Sequence, residues 1–371
     1  MNKFYKNNIL PKLYFPLFYF ILILLRIYKT FLVNTKKKEK SRLIISAGLR
    51  GWDSIEFKEL YHSACEYLNE KQVIKHSAID STKYYEDLHR IVIEYNPTHL
   101  LYDPRSGDQN LFSGTIEAIK ITFLFTKKNI IPIVLSTDLS YRKWRIKSAL
   151  VSALSGVVIC FVSSKKIFPI FPHKRLFGPM LMPLSIKTFN SLNCLKQNSN
   201  NLEKKKAVFI GSLYEPRTTK LTKIKNGLNK IDLDLEIKGR VLGSPRKPDN
   251  EYWSTMVNAP IVFTTSDQVS SNDFDWSWIQ NLVYRYIEVL SCGSLLIAPK
   301  VPGVDKYFQS GIHYVSFDTT EEAIEKITYY LNNDDSRTQI ADRGKKIAKS
   351  LTNSKIFWTL VDNSLSTQSM K

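Results

Sequence analysis

The spacings that hold metals or disulfides are missing from these 371 residues. The four cysteines, Cys65, Cys160, Cys194 and Cys292, lie far apart with no CxxC pair and no clustering with histidine, which argues against a zinc site and a disulfide framework and fits a reducing, cytoplasmic setting. Acidic side chains are also in deficit, 34 against 53 basic ones, for a formal charge of +19. That imbalance calls for an anionic partner: nucleic acid, acidic lipid or a phosphorylated substrate. Nucleic acid is the poorest of the three, because the lysines are spread along the chain and no RNP, KH or zinc-finger pattern is present. There is no short-period internal repeat.

An uninterrupted apolar run of spanning length is missing as well. LYFPLFYFILILL, Leu13 to Leu25, is followed by Arg26, Lys29 and a triple lysine at Lys36 to Lys38. The run itself is too short to cross a bilayer as a helix. Extension to Val33 brings two cations inside, and about fourteen apolar residues at roughly −0.5 kcal/mol each are nearly cancelled by roughly +2.5 to +3.5 for each cation. Residues 1–40 are therefore expected to form a membrane-associating helix on an anionic leaflet, with a true span as the alternative. No small-x-small site follows the run, which argues against a cleaved signal peptide.

What is present is enough apolar material, 43% with 12% aromatic, for two cores, and the length suits two domains. From Arg42 the pattern alternates β-like runs with helix-length segments. RLIISAG, QVIKHSA, THLLYDP, IPIVLST and GVVICFVS read as five strands of a parallel, doubly wound sheet. A Pro-rich stretch, FPIFPHKRLFGPMLMPL, and a polar one, NCLKQNSNNLEKKK, mark a boundary. A second alternation follows in KAVFIGSL, DLEIKGR, PIVFTTS, SLLIAPK and HYVSFD. The fold class predicted is α/β: two Rossmann-like domains at 41–185 and 205–353 facing a cleft, a linker at 186–204, and a terminal helix at 354–371 expected to pack back on the first domain. Strand carboxyl ends are the usual place for a ligand in such sheets.

The chemistry-bearing residues sit near those ends. In GSLYEPR, Gly211 is expected to end a strand in a tight turn and Arg217 to open a helix, where a guanidinium and helix amides together suit a diphosphate; a solvated arginine in a first turn is the plainer account. In YRYIEVLSCGSLLIAPKVPG, Glu288 lies one turn before a helix stop at Gly293. Its carboxylate either receives two sugar or ribose hydroxyls or pairs with Arg285 at the i, i+3 spacing. On the acceptor side, SAGLRGWDS places Gly48 and Gly51 in a turn after the first strand, with Arg50, Trp52 and Asp53 directed at the cleft. Asp138 in STDLSY ends the fourth strand, where a base would activate a hydroxyl; Asp138 and Asp53 are the catalytic candidates, and each suits a helix N-cap equally. His173 is a weaker candidate, with a surface role as its default. DLD at Asp232 to Asp234 begins a strand, and DFD at Asp273 to Asp275 lies beside Trp276 and Trp278, so neither is expected to hold a metal.

YRYIEVLSCGSLLIAP followed by GVDKYFQSGIHYVSFDTTEEAIEKITYYLNNDDSRTQIADRGKKI resembles the carboxyl-terminal half of group 1 glycosyltransferases of the GT-B fold, from about Ala207 to Leu351. The resemblance implies transfer of a sugar from a nucleotide-activated donor held mainly by the second domain. It implies that Glu288, the second Glu of the family's E-x7-E pattern, binds donor hydroxyls, and that Arg217 and Arg285 face the diphosphate. The pattern's first position falls on Gln280. No cofactor is implied beyond the nucleotide-sugar co-substrate, and no metal.

Three classes of function follow. The leading one is a metal-independent glycosyltransferase at the cytoplasmic face of the inner membrane, acting on a lipid-linked or cell-surface glycan, with no nucleic-acid partner. The others are a nucleotide-sugar epimerase or hydrolase, and a membrane-attached, non-catalytic binding protein.

Overall fold

The computed structural model describes residues 42–47, 51–78, 80–137, 141–163, 176–197, 206–241, 244–267 and 279–369, with a few positions between 20 and 27. The segment expected to associate with a membrane therefore lies almost wholly outside the described residues. Among those described, no helix is long and apolar enough to cross a membrane. Contacts between Cα atoms divide the chain into two units, Met1–Gly178 with Thr359–Lys371, and Pro179–Trp358.

In the first unit, strands β1 (Leu43–Ser46), β2 (Val73–His76), β3 (His99–Tyr102), β4 (Ile131–Ser136), β5 (Val157–Cys160) and β6 (Leu176–Phe177) form a sheet in the order β2-β1-β3-β4-β5-β6. All pairings are parallel. The connecting helices are α1 (Ile55–Tyr67), α2 (Tyr84–Tyr95), α3 (Leu111–Lys128) and α4 (Arg142–Val151). Continuous apolar runs such as LIIS and VVIC suit a parallel sheet covered on both faces, and both are buried at every position. Helix boundaries follow local chemistry: Asn110 caps α3 by accepting from the backbone amides of Phe112 and Ser113, and Asn129 closes it in the left-handed conformation.

The second unit begins with α5 (Ile186–Gln197), then β7 (Lys206–Leu213), α6 (Arg217–Asn229), β8 (Asp234–Val241), α7 (Asp249–Asn258), β9 (Ile261–Phe263), α8 (Arg285–Cys292), β10 (Leu295–Pro299), β11 (Val315–Phe317), α9 (Thr320–Asn332) and α10 (Asp334–Leu351). Its sheet is parallel in the order β11-β10-β9-β7-β8. Phe209, Leu235, Ile261, Phe263, Ile297 and Phe317 build the core beneath α6 and α9, with Phe263 and Phe317 stacked at 5.0 Å. Each such ring, taken fully from water, contributes about 1.5–3 kcal/mol. The last helix, α11 (Ser354–Ser369), groups with the first unit from Thr359 onward, where Tyr67 donates to Asp362 at 2.6 Å.

Two boundaries differ from the sequence expectation. The stretch 186–204, expected as a linker, is helical from Ile186 to Gln197. It packs on α7 and α8, burying Phe189 and Leu192, and Lys196 Nζ donates to the Val257 carbonyl at 2.7 Å. The polar residues around those two apolar positions hide the helix from a hydropathy pattern. Strand β6, two residues inside the Pro-rich stretch, is too short for an alternation to show.

Candidate functional site

In the second sheet the chain order reverses between β7 and β9, and a sheet of this class leaves a crevice beyond the carboxyl ends of two such strands. The residues there are Ser212 to Arg217 on one side and Thr264 to Asp267 on the other. Strand β7 does not stop at Gly211, as expected, but runs to Leu213 with Gly211 paired to Gly239. A Cβ at Gly211 would stand 3.2 Å from the Phe209 ring and at ordinary contact distance, 3.9 Å, from Arg217 Nη1, so the glycine leaves room for the ring.

Arg217 opens α6 and is fixed from three directions. Nε donates to Thr265 Oγ1 at 2.7 Å, Nη1 donates to the Ser212 carbonyl at 3.0 Å, and the guanidinium lies 4.2 Å from the centre of the Tyr214 ring. Burial lowers its pKa from the usual guanidinium value; Tyr214 and Asp267 oppose that shift and Arg285 adds to it. The plainer account of Arg217 as a solvated first-turn arginine does not describe this arrangement. A cation with its geometry set in advance, at a helix amino end, suits an anionic group of fixed shape such as a diphosphate.

Asp267 stands on the other side of the switch point. Its Oδ1 takes a hydrogen bond from Lys220 Nζ at 2.6 Å, and its backbone carbonyl accepts from Tyr214 Oη at 2.9 Å. An isolated antiparallel bridge places it opposite Gln280, which is half-buried.

Glu288 makes the pairing that its spacing allowed. Its side chain is only 3% exposed; Oε2 lies 3.1 Å from Arg285 Nη1, and Oε1 accepts from Tyr252 Oη at 2.7 Å. Arg285 also donates to Tyr252 Oη and, through Nη2, to the Ile210 carbonyl at 3.0 Å. Arg285 therefore ties α8 to α7 and to the interior of β7, rather than standing as a cation committed only to ligand. Gly293 closes α8 in the left-handed conformation, φ 68°, where a Cβ would lie 3.1 Å from Lys345 Cδ. Its backbone faces Lys345 of α10, and the left-handed helix stop is what favours a residue without a side chain.

On the first unit, Gly51 adopts φ 54° and begins a short 3-10 turn that ends at Asp53, which is exposed. Ser54, not Asp53, is the residue that precedes α1. Trp52 packs edge-on against Phe57 and Tyr61, and Lys75 Nζ sits 4.1 Å from the Tyr61 ring centre. Gly48, Arg50, Asp138 and His173, and both aspartates of DFD, Asp273 and Asp275, lie outside the described residues. In DLD, Asp234 opens β8 and pairs with Lys225 at 3.0 Å.

Two buried polar groups of the first unit escaped the sequence. Ser46, His76 and Tyr102 stand in register across β2, β1 and β3, and Ser46 Oγ bonds His76 Nδ1 at 2.9 Å and Tyr84 Oη at 2.7 Å. Burial lowers the His76 pKa to about 4. Nearby, Lys147 Nζ donates to the Ser106 carbonyl and to the Asp108 carbonyl at 3.1 Å, beside Glu117 at 3.5 Å; burial lowers the lysine pKa and raises that of the glutamate. In the second unit Thr265, Asp267, Lys220 and Tyr252 were likewise missed. The only sequence signal was for Lys220, three residues after Arg217 on the same helix face, while the others depend on strands and helices distant in sequence.

Residues 225–357 match the family model described as glycosyl transferase-like. No curated protein matches the chain by sequence. Among solved structures, Anabaena HepE in complex with UDP and glucose superposes with a TM-score of 0.57 over 88% of this chain and 100% of its own, at 10% identity. Sucrose-phosphate synthase from Thermosynechococcus elongatus gives 0.54 over 89% of this chain and 98% of its own, at 9% identity. A glycosyltransferase from Rickettsia africae gives 0.51 over 88% and 99%, at 9% identity. At such identities the likeness shows the fold, an α/β arrangement with two parallel sheets of the GT-B glycosyltransferase kind.

Proposed function

We propose that the chain is a glycosyltransferase that draws its sugar from a nucleotide-activated donor held by the second unit. One observation carries this reading: the Arg217 guanidinium, fixed by Thr265, Ser212 and Tyr214 at the amino end of α6, beside a topological switch point. The glycosyl transferase-like match over 225–357 supports it, as do the UDP and UDP-glucose complexes of HepE. A departing nucleoside diphosphate develops negative charge, and fixed cations with helix amides stabilise it without a metal. Arg217, with the amides at the start of α6, fills that role here. The acceptor is a lipid-linked or cell-surface glycan presented at the cytoplasmic face of a membrane; support comes from the apolar run Leu13 to Leu25, the basic residues after it and the charge of +19.

Calorimetric titration with UDP, ADP, GDP and their glucose conjugates tests the donor side, and turnover in excess EDTA tests metal independence. Binding of one nucleotide series at micromolar affinity, with turnover that survives chelation, is expected. Binding of none of them would end the donor reading. Turnover abolished by EDTA and restored by Mn²⁺ would transfer the charge-neutralising role to a metal. Full-length protein should co-float with anionic vesicles and not with zwitterionic ones.

A further inference from the structure

We propose that Asp267 binds a hydroxyl of the sugar on the nucleotide donor and so sets which sugar is accepted; this rests on the glycosyltransferase reading above. The side chain is 9% exposed, and its two oxygens differ. Oδ1 is held by Lys220 at 2.6 Å, whereas Oδ2 is buried with no hydrogen-bond partner. A buried carboxylate oxygen left without a donor is costly, and native structures retain one where a ligand, an ion or a water supplies the missing bond. The backbone is well fixed on both sides, by Tyr214 Oη on the Asp267 carbonyl and by the bridge to Gln280, so Oδ2 has a defined position.

The surroundings select the chemistry of the missing donor. Lys220 already pairs with the carboxylate, and Arg217 adds positive charge within electrostatic reach, so a further cation is disfavoured. Among the described residues no cluster of three histidine, cysteine or acidic side chains stands ready to complete a metal shell. A neutral O–H donor meets both conditions. A sugar presents several, and it would be attached to the diphosphate that Arg217 suits. The position opposite Gln280 adds a second argument. Gln280, across the bridge, carries an amide that can both donate to and accept from a sugar hydroxyl beside the carboxylate.

The test compares binding of UDP, which has no sugar, with UDP-glucose, UDP-galactose and UDP-N-acetylglucosamine, together with the ADP- and GDP-glucose pairs, in wild type and Asp267→Asn. At least one sugar conjugate should bind wild type fivefold or more tightly than its nucleoside diphosphate. Asp267→Asn should bring the two within about twofold while the diphosphate's own affinity holds, and Asp267→Asn/Gln280→Glu should recover part of the preference. Equal weakening of diphosphate and conjugate would assign Asp267 to the Lys220 pair alone and overturn the proposal, as would an unchanged preference or a wild type that shows none. A wild type that binds no diphosphate and no conjugate fails at the earlier step, the donor reading itself. If the variant does not fold, wild type is titrated with 2-, 3-, 4- and 6-deoxyglucose conjugates: one deletion should cost about tenfold, and no loss at any position would overturn the assignment.

Discussion

Glu288→Gln is the most direct probe of how the second unit is built. The substitution preserves volume and one carbonyl acceptor but removes the negative charge and turns one oxygen into an NH2 group. In the wild type Oε1 serves Tyr252 and Oε2 faces Arg285, both at hydrogen-bonding distance. A glutamine oxygen can satisfy only one of them, so the amide NH2 must face either Arg285, donor against donor, or a Tyr252 hydroxyl that already receives a hydrogen bond from Arg285. Removing one member of a buried ion pair costs about 3–5 kcal/mol. Arg285 keeps the Ile210 carbonyl and Tyr252 can keep its acceptor, which reduces the expectation to about 2–3 kcal/mol. In a unit of this size each kcal/mol moves Tm by about 2–4 °C, so a fall of about 5–10 °C is expected. Urea and thermal denaturation without nucleotide provide the measurement, and Arg285→Met with the double variant completes a cycle in which coupling of at least about 1 kcal/mol is expected. A Tm within about 1 °C of wild type, together with weakened donor binding, would refute the structural pairing and return Glu288 to the donor hydroxyls implied by its resemblance.

Arg217→Ala should lower kcat/KM for the donor by about a hundredfold, the cost of removing one group that meets developing charge, and Arg217→Lys should recover only part because an ammonium lacks the planar fork. An undiminished kcat/KM in the alanine variant would separate Arg217 from the reaction. His76 gives a pH test in the first unit. Its folded pKa, lowered by burial to about 4, lies below the ordinary 6.5, so below pH 6.5 the unfolded state takes a proton that the folded state refuses. The histidine's contribution is therefore complete above pH 6.5 and is lost as pH falls to about 4. Measured by urea denaturation, the stability difference between wild type and His76→Gln should narrow by up to about 3 kcal/mol over that window. A difference that stays constant would mean that His76 is not held neutral by burial.

Strand placement was legible because each strand is a short apolar run set between polar turns, and in a sheet buried on both faces such runs stand out. LIIS, VVIC and LLIAP lie within the predicted segments. Gly293 as a helix stop was legible for a related reason: the left-handed conformation is a local requirement that glycine meets cheaply. Arg217 was legible because a strand, a tight connection and a helix start follow one another within a few residues. What only the tertiary structure decided were pairings between elements far apart in the chain. Glu288 could serve hydroxyls or Arg285, and its second partner, Tyr252, approaches from α7, 36 residues earlier, where no local pattern could show it. Asp267 carried no signal at all, because its burial and its unfilled Oδ2 depend on Lys220 from α6 and on the bridge to Gln280. Periodicity and turn chemistry act over a few residues and are written locally, whereas a charge or a hydroxyl acquires its role from whatever the fold brings within about 3 Å of it.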